Sequence, residues 1–300
     1  MKTFLIMLKR NIKLFFKDKG LFFTSLITPL ILLVLYATFL FNVYKSSFVS
    51  VLDGFNVSVP DKLLGGMVAG QLMSSLLAVS CVTVSFCSNM LMVQDKVSGA
   101  YKDMLITPIS RSKMAFSYYI ATTINTLIIC FFALALCLVY VATIGWYLSF
   151  KDVLLLVVDI LLLTSFGTAL SSVINYFLSS QGQISAVGSI VSSCYGFICG
   201  AYMPLSSFSE GIRNVVMFLP GTYGTALLRN HSLQGVFKKM QAQGIPTEVV
   251  DVLKVGVDCK LDFFGTDVKV FTMFLVMAIT VIMLIGAYVL INVLLNKKNK

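Results

Sequence analysis

The chain has 300 residues, 58% of them hydrophobic and 12% charged, with a formal net charge of +10. A soluble domain carries about a quarter charged residues, so this composition excludes a water-soluble fold and leaves an all-α polytopic membrane protein. The positive balance then reads as membrane orientation and not as a nucleic-acid surface.

Residues 2–19 place Leu5, Leu8, Ile12, Phe15 and Phe16 at helical spacing, with Lys2, Lys9, Arg10, Lys13 and Lys17 largely elsewhere on the wheel. That pattern predicts an amphipathic helix lying on the lipid surface. A signal peptide would be the competing reading, but the apolar core is too long and no small-residue cleavage site follows promptly.

Each crossing takes about 20 apolar residues. Six runs qualify: 21–43, 63–93, 114–141, 153–178, 184–205 and 269–295. The second and third exceed what a bilayer needs, which predicts tilt, a kink or extension into water. With six spans and both termini in the cytoplasm, segments 1–20, 94–113, 179–183 and 296–300 hold thirteen Lys and Arg against three acids. The opposite face holds ten against nine. Lys and Arg near short loops set orientation, so this arrangement is the expected one, in the cell membrane.

Between the spans, 44–62 reads as an outer loop and 179–183 as a tight turn. Segment 206–218 reads as a re-entrant or surface helix too short to cross. Pro220-Gly221 is a break, and a second short helix is expected to run to about Arg229. Residues 231–268 form an external cap, and 206–268 belongs with the single transmembrane domain of 1–300 because it is too short for its own core.

Polar groups inside the spans need partners. Ser75 and Asn89 in the second span and Asn125 in the third are candidates to line a partner helix or a polar path. Asp159 is the one acid well inside an apolar run, which makes it a functional candidate by default; it also lies two turns from Lys151, within reach of headgroup water. Gly66-x-x-x-Gly70 and Gly196-x-x-x-Gly200 are close-approach patterns, for packing within the chain or for a dimer seam at Gly196 and Gly200. The seven cysteines show no disulfide framework and no zinc spacing, and six of them serve as small apolar residues inside the runs.

Catalytic chemistry is not expected. Lysine never follows glycine, so there is no phosphate loop for ATP. His231 is the one histidine and falls outside the spans, Asp159 has no second intramembrane acid, and no metal or Gly-x-Ser-x-Gly motif occurs. The functional signal concentrates in the charged island 94–113, QDKVSGAYKDMLITPISRSK. Asp95 to Met104 form a short amphipathic helix with Val97, Tyr101, Met104 and Leu105 along one side, and Thr107-Pro108 stops it. Such a helix fits a groove on a soluble partner; read blandly, it is a basic loop that obeys topology rules.

The run Gln94-Asp95-Lys96-Val97-Ser98-Gly99, followed by Met104-Leu105-Ile106-Thr107-Pro108-Ile109-Ser110-Arg111, resembles the coupling signature of type-2 ABC exporter permeases, "LL-x-TP-[IV]-[SR]-R". Gly200-Ala-Tyr-Met-Pro204 and Leu219-Pro220 resemble that family's late Gly- and Pro-containing stretch, and the resemblance covers nearly the whole chain. One departure is that family members often carry Glu-Arg-Glu before the glycine, where this chain has only Asp95. The resemblance implies a permease subunit with no cofactor of its own. It implies two copies of a separate ABC ATPase holding ATP and Mg, and a second permease copy or paralogue across the bilayer. Asp95, Lys96, Gly99, Tyr101, Met104, Leu105 and Arg111 would then be the ATPase contacts, and the cargo a lipid, glycan, peptide or drug. Two other classes fit the residues alone: an ATP-independent secondary transporter, for which only Asp159 is on offer as an ion ligand, and a membrane immunity or scaffold protein.

Overall fold

Capping side chains, glycines and prolines cut the apolar sequence into helices. The computed structural model describes residues 2–107 and 109–297, with side chains through residue 292. Pro108, expected to stop the coupling helix, and residues 298–300, expected to anchor the last span, lie outside the described residues. Helix α1 (Lys2–Lys17) leads directly into α2 (Lys19–Leu35), whose first turn is capped by Asp18 accepting from the Leu21 N–H. A π-helical stretch (Tyr36–Leu40) joins α2 to α3 (Phe41–Asp53). The outer loop expected at 44–62 is therefore mostly helix. Phe48 and Leu52, four residues apart, are buried on one side of α3 and extend it beyond the lipid-length run.

Helix α4 (Asp61–Val97) is the axis of the molecule. Of its most apolar window, 89% is buried, against 17% for the first and last apolar helices. It packs on α2, α6 (Arg111–Ile144), α7 (Phe150–Phe177), α8 (Gln181–Ile198) and α10 (Pro220–Ala242). At 37 residues it is about 55 Å long, well beyond a hydrocarbon core of about 30 Å. Gln94, Asp95 and Lys96 lie in its last turn. Gly99 at φ 87° turns the chain into α5 (Ala100–Ile106). That left-handed conformation favours glycine, so Gly99 serves the turn.

Ser149 and Asp152 form a reciprocal cap at the start of α7, and Ser180 and Gln183 form one at the start of α8. The second of these caps keeps the α7–α8 turn as tight as its sequence predicts. Five helices among the described residues are long and apolar enough to cross a membrane. Helix α8, the expected fifth of six spans, has only 18 residues and ends at Ile198 where the run was drawn to 205. Its glutamines and serines hold it below the apolarity of the other five.

After α8 come a 3-10 turn (Leu205–Ser207) and α9 (Glu210–Val216). The short helix expected to end near Arg229 instead continues to Ala242 as α10, which wedges between α4, α7 and α12 (Val270–Lys297). Helix α11 (Thr247–Gly256) and a hairpin of β1 (Leu261–Phe263) and β2 (Thr266–Val268) complete the segment before α12.

Candidate functional site: the joint between α1 and α5

Helix α1 turns Met7, Asn11 and Phe15, spaced four apart, onto α6 and α4. Leu5, Ile6 and Phe16 remain exposed on its other apolar side. The helix is therefore apolar on two sides, one packed on the bundle and one exposed. Asn11 is fully buried, and its amide donates to Ser117 Oγ at 3.4 Å.

One turn along, Arg10 reaches the end of α4. Its guanidinium donates in parallel to both oxygens of Asp95, Nη1 to Oδ2 at 2.7 Å and Nη2 to Oδ1 at 2.9 Å. Nη1 also donates to Asn11 Oδ1 at 2.9 Å. The Tyr118 hydroxyl of α6 donates to the same carboxylate at 2.5 Å. Asp95 thus holds α1, α4 and α6 together, and bidentate charge-assisted bonds of this kind are the strong and directional ones. The carboxylate keeps the Arg10 guanidinium well up in its charged range.

Lys96, the next residue, points the other way. Its ammonium donates to the carbonyls of Asn175, Tyr176 and Leu178 at 3.2, 2.6 and 3.3 Å and lies 5.1 Å from the centre of the Tyr176 ring. These carbonyls lie at the C-terminus of α7, where a cation is favoured by the helix dipole.

Helix α5 packs its inner side on the same joint. Tyr101, Met104 and Leu105 lie against a buried cluster that includes Met7, Phe15, Leu91, Met92, Met114 and Tyr118. Burial pushes the Tyr101 phenol up, so it stays neutral. The outer side of α5 shows Ile106, 86% exposed, with Lys102 and Asp103 also exposed. Of the expected partner-contacting residues, Asp95 and Lys96 are therefore spent inside the chain, because a charge at the end of a buried helix must be paired there. Tyr101, Met104 and Leu105 face inward, Gly99 shapes the turn, and Arg111 is half-buried at the start of α6. The free surface consists of Ile106, Lys102, Asp103 and the half-exposed Val97.

A comparison with protein families covers this joint as well. The model for ABC-2 type transporters matches residues 2–231. The chain belongs to that family of ABC transporter membrane subunits. No curated protein and no solved structure gave a match.

In this permease the match runs from α1 into the middle of α10, so it contains the whole joint. The other expected residues lie elsewhere and do not share a site. Asn89 donates to Ser171 and Ser172 Oγ, both at 3.0 Å, and accepts from Thr122 at 3.5 Å. Asn125 donates to Ser88 Oγ at 3.3 Å. These residues form a buried polar ladder between α4, α6 and α7, facing one another. Gly196 is covered by the Tyr202 ring, and Gly200 adopts φ 74° at the end of α8 beside Leu205 and Asp258. Both glycines serve packing within the chain.

Ser75 belongs to a second polar knot. Arg229 of α10 is 1% exposed and donates to Asp258 Oδ2 at 2.6 Å, to the Gly200 carbonyl at 2.6 Å and to Ser75 Oγ at 3.3 Å. Asp258 also accepts from the Leu205 N–H at 3.1 and 3.0 Å. A buried guanidinium with this many partners ties α4, the end of α8, α10 and the α11–β1 turn together. The partner absent from the sequence reading of Asp159 is His231, whose Nδ1 lies 2.5 Å from Asp159 Oδ2. The histidine read as lying outside is brought to the span because α10 runs along α7.

Arg10, Tyr118, Arg229 and Asp258 escaped sequence reasoning. One signal was present: the chain has four arginines among 23 basic residues, and two of the four make multipoint pairs. Arginine's planar fork suits such sites where lysine does not.

Proposed function

We propose that the chain is the permease half of an exporter driven by a separate ATPase, and that the α1–α5 joint is where the drive enters. What carries this reading is the three-way clamp of Arg10, Asp95 and Tyr118, supported by membership of the ABC-2 type transporter family. In this reading both termini and α5 are cytoplasmic. Two ATPase subunits hold ATP and Mg and dock on Ile106, Lys102 and Asp103, with Asp95, Lys96, Tyr101, Met104, Leu105 and Arg111 behind them holding α5 in place. When the ATPases close, α5 and α1 shift as one block, and α4, which ends in that block, and α6, which begins in it, carry the shift across the bilayer.

A second permease copy would cover α8. Ser185, Ser189, Ser193, Cys194 and Phe197 lie exposed on one side of it. Small hydroxyl residues at four-residue spacing suit close helix contact or an aqueous path better than lipid. The dimer seam and path therefore lie on this side of α8, opposite Gly196. The cargo class is a lipid, glycan, peptide or drug. The test is purification of the tagged chain from its own membranes: an ABC ATPase accompanies it, and Ile106→Glu reduces that ATPase about tenfold, the equivalent of 1.4 kcal/mol of docking energy. Purification without any ATPase contradicts the proposal.

A further inference from the structure

At the end of the bundle opposite the joint, a cavity of about 390 Å³ opens between the start of α7, the second half of α10, α11 and the first residue of α12. Lys151, Lys238 and Lys254 line it, together with His231, Gln234 and Phe237. No carboxylate does. Asp152, beside Lys151, is turned away into the cap of α7, where it accepts from Ser149 N at 2.9 Å and Ser149 Oγ at 2.8 Å. Asp251 sits on Lys260 at 2.9 Å and reaches Lys254 only at 3.7 Å. The positive charge of the cavity is therefore largely uncompensated.

The histidine is held, not loose. Asp159 is 2% exposed and engages Nδ1, which fixes the ring and leaves Nε2 as the nitrogen available to the cavity. A buried carboxylate behind an imidazole orients it and favours its N–H as a donor. The floor and rim are partly apolar, with Leu155, Phe237 and Val270, and Val270 opens the last apolar helix.

We propose that this cavity binds a phosphate ester. Three ammonium groups, an oriented imidazole and a side-chain amide supply point charges and donors without any arginine fork, a set that suits a tetrahedral oxyanion. Its volume lies within the range of small-molecule pockets and exceeds a bare phosphate, leaving room for the group that carries it. The ester comes either from an anionic lipid headgroup, with its chains along α12, or from a free phosphorylated solute. The inference rests on the reading of the chain as an exporter permease only in placing the cavity on the outer face. Binding to the isolated chain involves no ATPase, so either reading can fail without the other.

The test uses the full chain purified in an uncharged detergent. One arm titrates sn-glycerol 3-phosphate by calorimetry. The other counts retained phosphatidylglycerol against a neutral galactolipid by native mass spectrometry. Binding in both arms points to the headgroup alone, binding of lipid only to a lipid ligand, and binding of the solute only to a free phosphate ester. In each case K151Q/K238Q/K254Q is expected to weaken binding about tenfold or more, while Lys62→Gln, an exposed lysine at the start of α4 that does not line the cavity, leaves it unchanged. If the triple variant fails to fold, the exposed single substitution Lys238→Glu carries the same expectation. Absence of binding of either probe to the unmodified chain overturns the proposal, as does a loss no larger than that of Lys62→Gln.

Discussion

At the scale of single residues, two arginine–aspartate pairs differ in what they do. Arg10–Asp95 is one-third exposed on the arginine side, so breaking it costs on the order of 1–3 kcal/mol, below the ~3–5 kcal/mol of a fully buried pair. Asp95→Asn is expected to leave the chain folded while lowering the nucleotide-driven activity of the complex. The reversed pair Arg10→Asp with Asp95→Arg should recover more activity than either single substitution, which a double-mutant cycle on ATPase rate would read. Arg229–Asp258 is buried on both sides and is structural. Arg229→Met leaves an unpaired carboxylate, a loss of ~3–5 kcal/mol, and lowers the melting temperature of the purified chain. Arg229→Met combined with Asp258→Asn removes the charge yet keeps an acceptor for the Leu205 N–H, so its melt should lie above that of the single variant.

At the scale of elements, glycines set how closely backbones approach, α7 on α4 at Gly167 and α10 on the α6–α7 loop at Gly235. A Cβ on Gly167 would meet the Cys81 carbonyl and the Val82 Cα, both at 3.0 Å, and one on Gly235 would fall on the Tyr147 carbonyl. Backbone atoms cannot swing aside as side chains do. Gly167→Ala and Gly235→Ala are therefore expected to destabilise by ~1–3 kcal/mol through overpacking, seen as a lower melting temperature. Five of the long apolar helices, the amphipathic α1, the α5 segment and the α7–α8 turn were legible in the sequence because each depends on a local signal: apolar length, helical period, a glycine before a helix, a serine cap. The length of α10 was not legible. Its sequence is broken by Arg229, Asn230 and His231, and each of these finds a partner far along the chain: Asp258, the Cys259 carbonyl and Asp159. The direction of the α5 face was hidden for the same reason. Tyr101, Met104 and Leu105 form a stripe that fits a partner groove or this chain equally well, and only the packing of α1, α4 and α6 into one cluster decides between them.

At the scale of the molecule, the proposed orientation makes a simple labelling prediction. Cys259 is a poor probe of it, since it is buried and burial pushes its thiol up to about 12. Lys238→Cys and Lys9→Cys are exposed positions at the two ends. In a Cys194→Ser background, an impermeant maleimide added to intact cells should label Lys238→Cys and spare Lys9→Cys. The reverse result would invert the topology and move the lysine-lined cavity to the ATPase side. The α8 seam predicts that Ser189→Cys forms a disulfide between two copies in membranes, whereas Ile279→Cys on the exposed side of α12 does not.

In the proposed reading α1 and α5 move as one block, because both pack on one apolar cluster at the end of α4, where Asp95 ties α1 to α4 and α6. A pulsed spin-label distance between Lys9→Cys and Lys102→Cys, measured in the complex without nucleotide and after trapping with ATP and vanadate, tests it most directly. The account predicts a distance unchanged to within about 2 Å in the otherwise unmodified chain, and a broadened distribution when Asp95→Asn is added. A shift of about 5 Å, one helical turn, on nucleotide trapping would show the two helices sliding past each other and would contradict it.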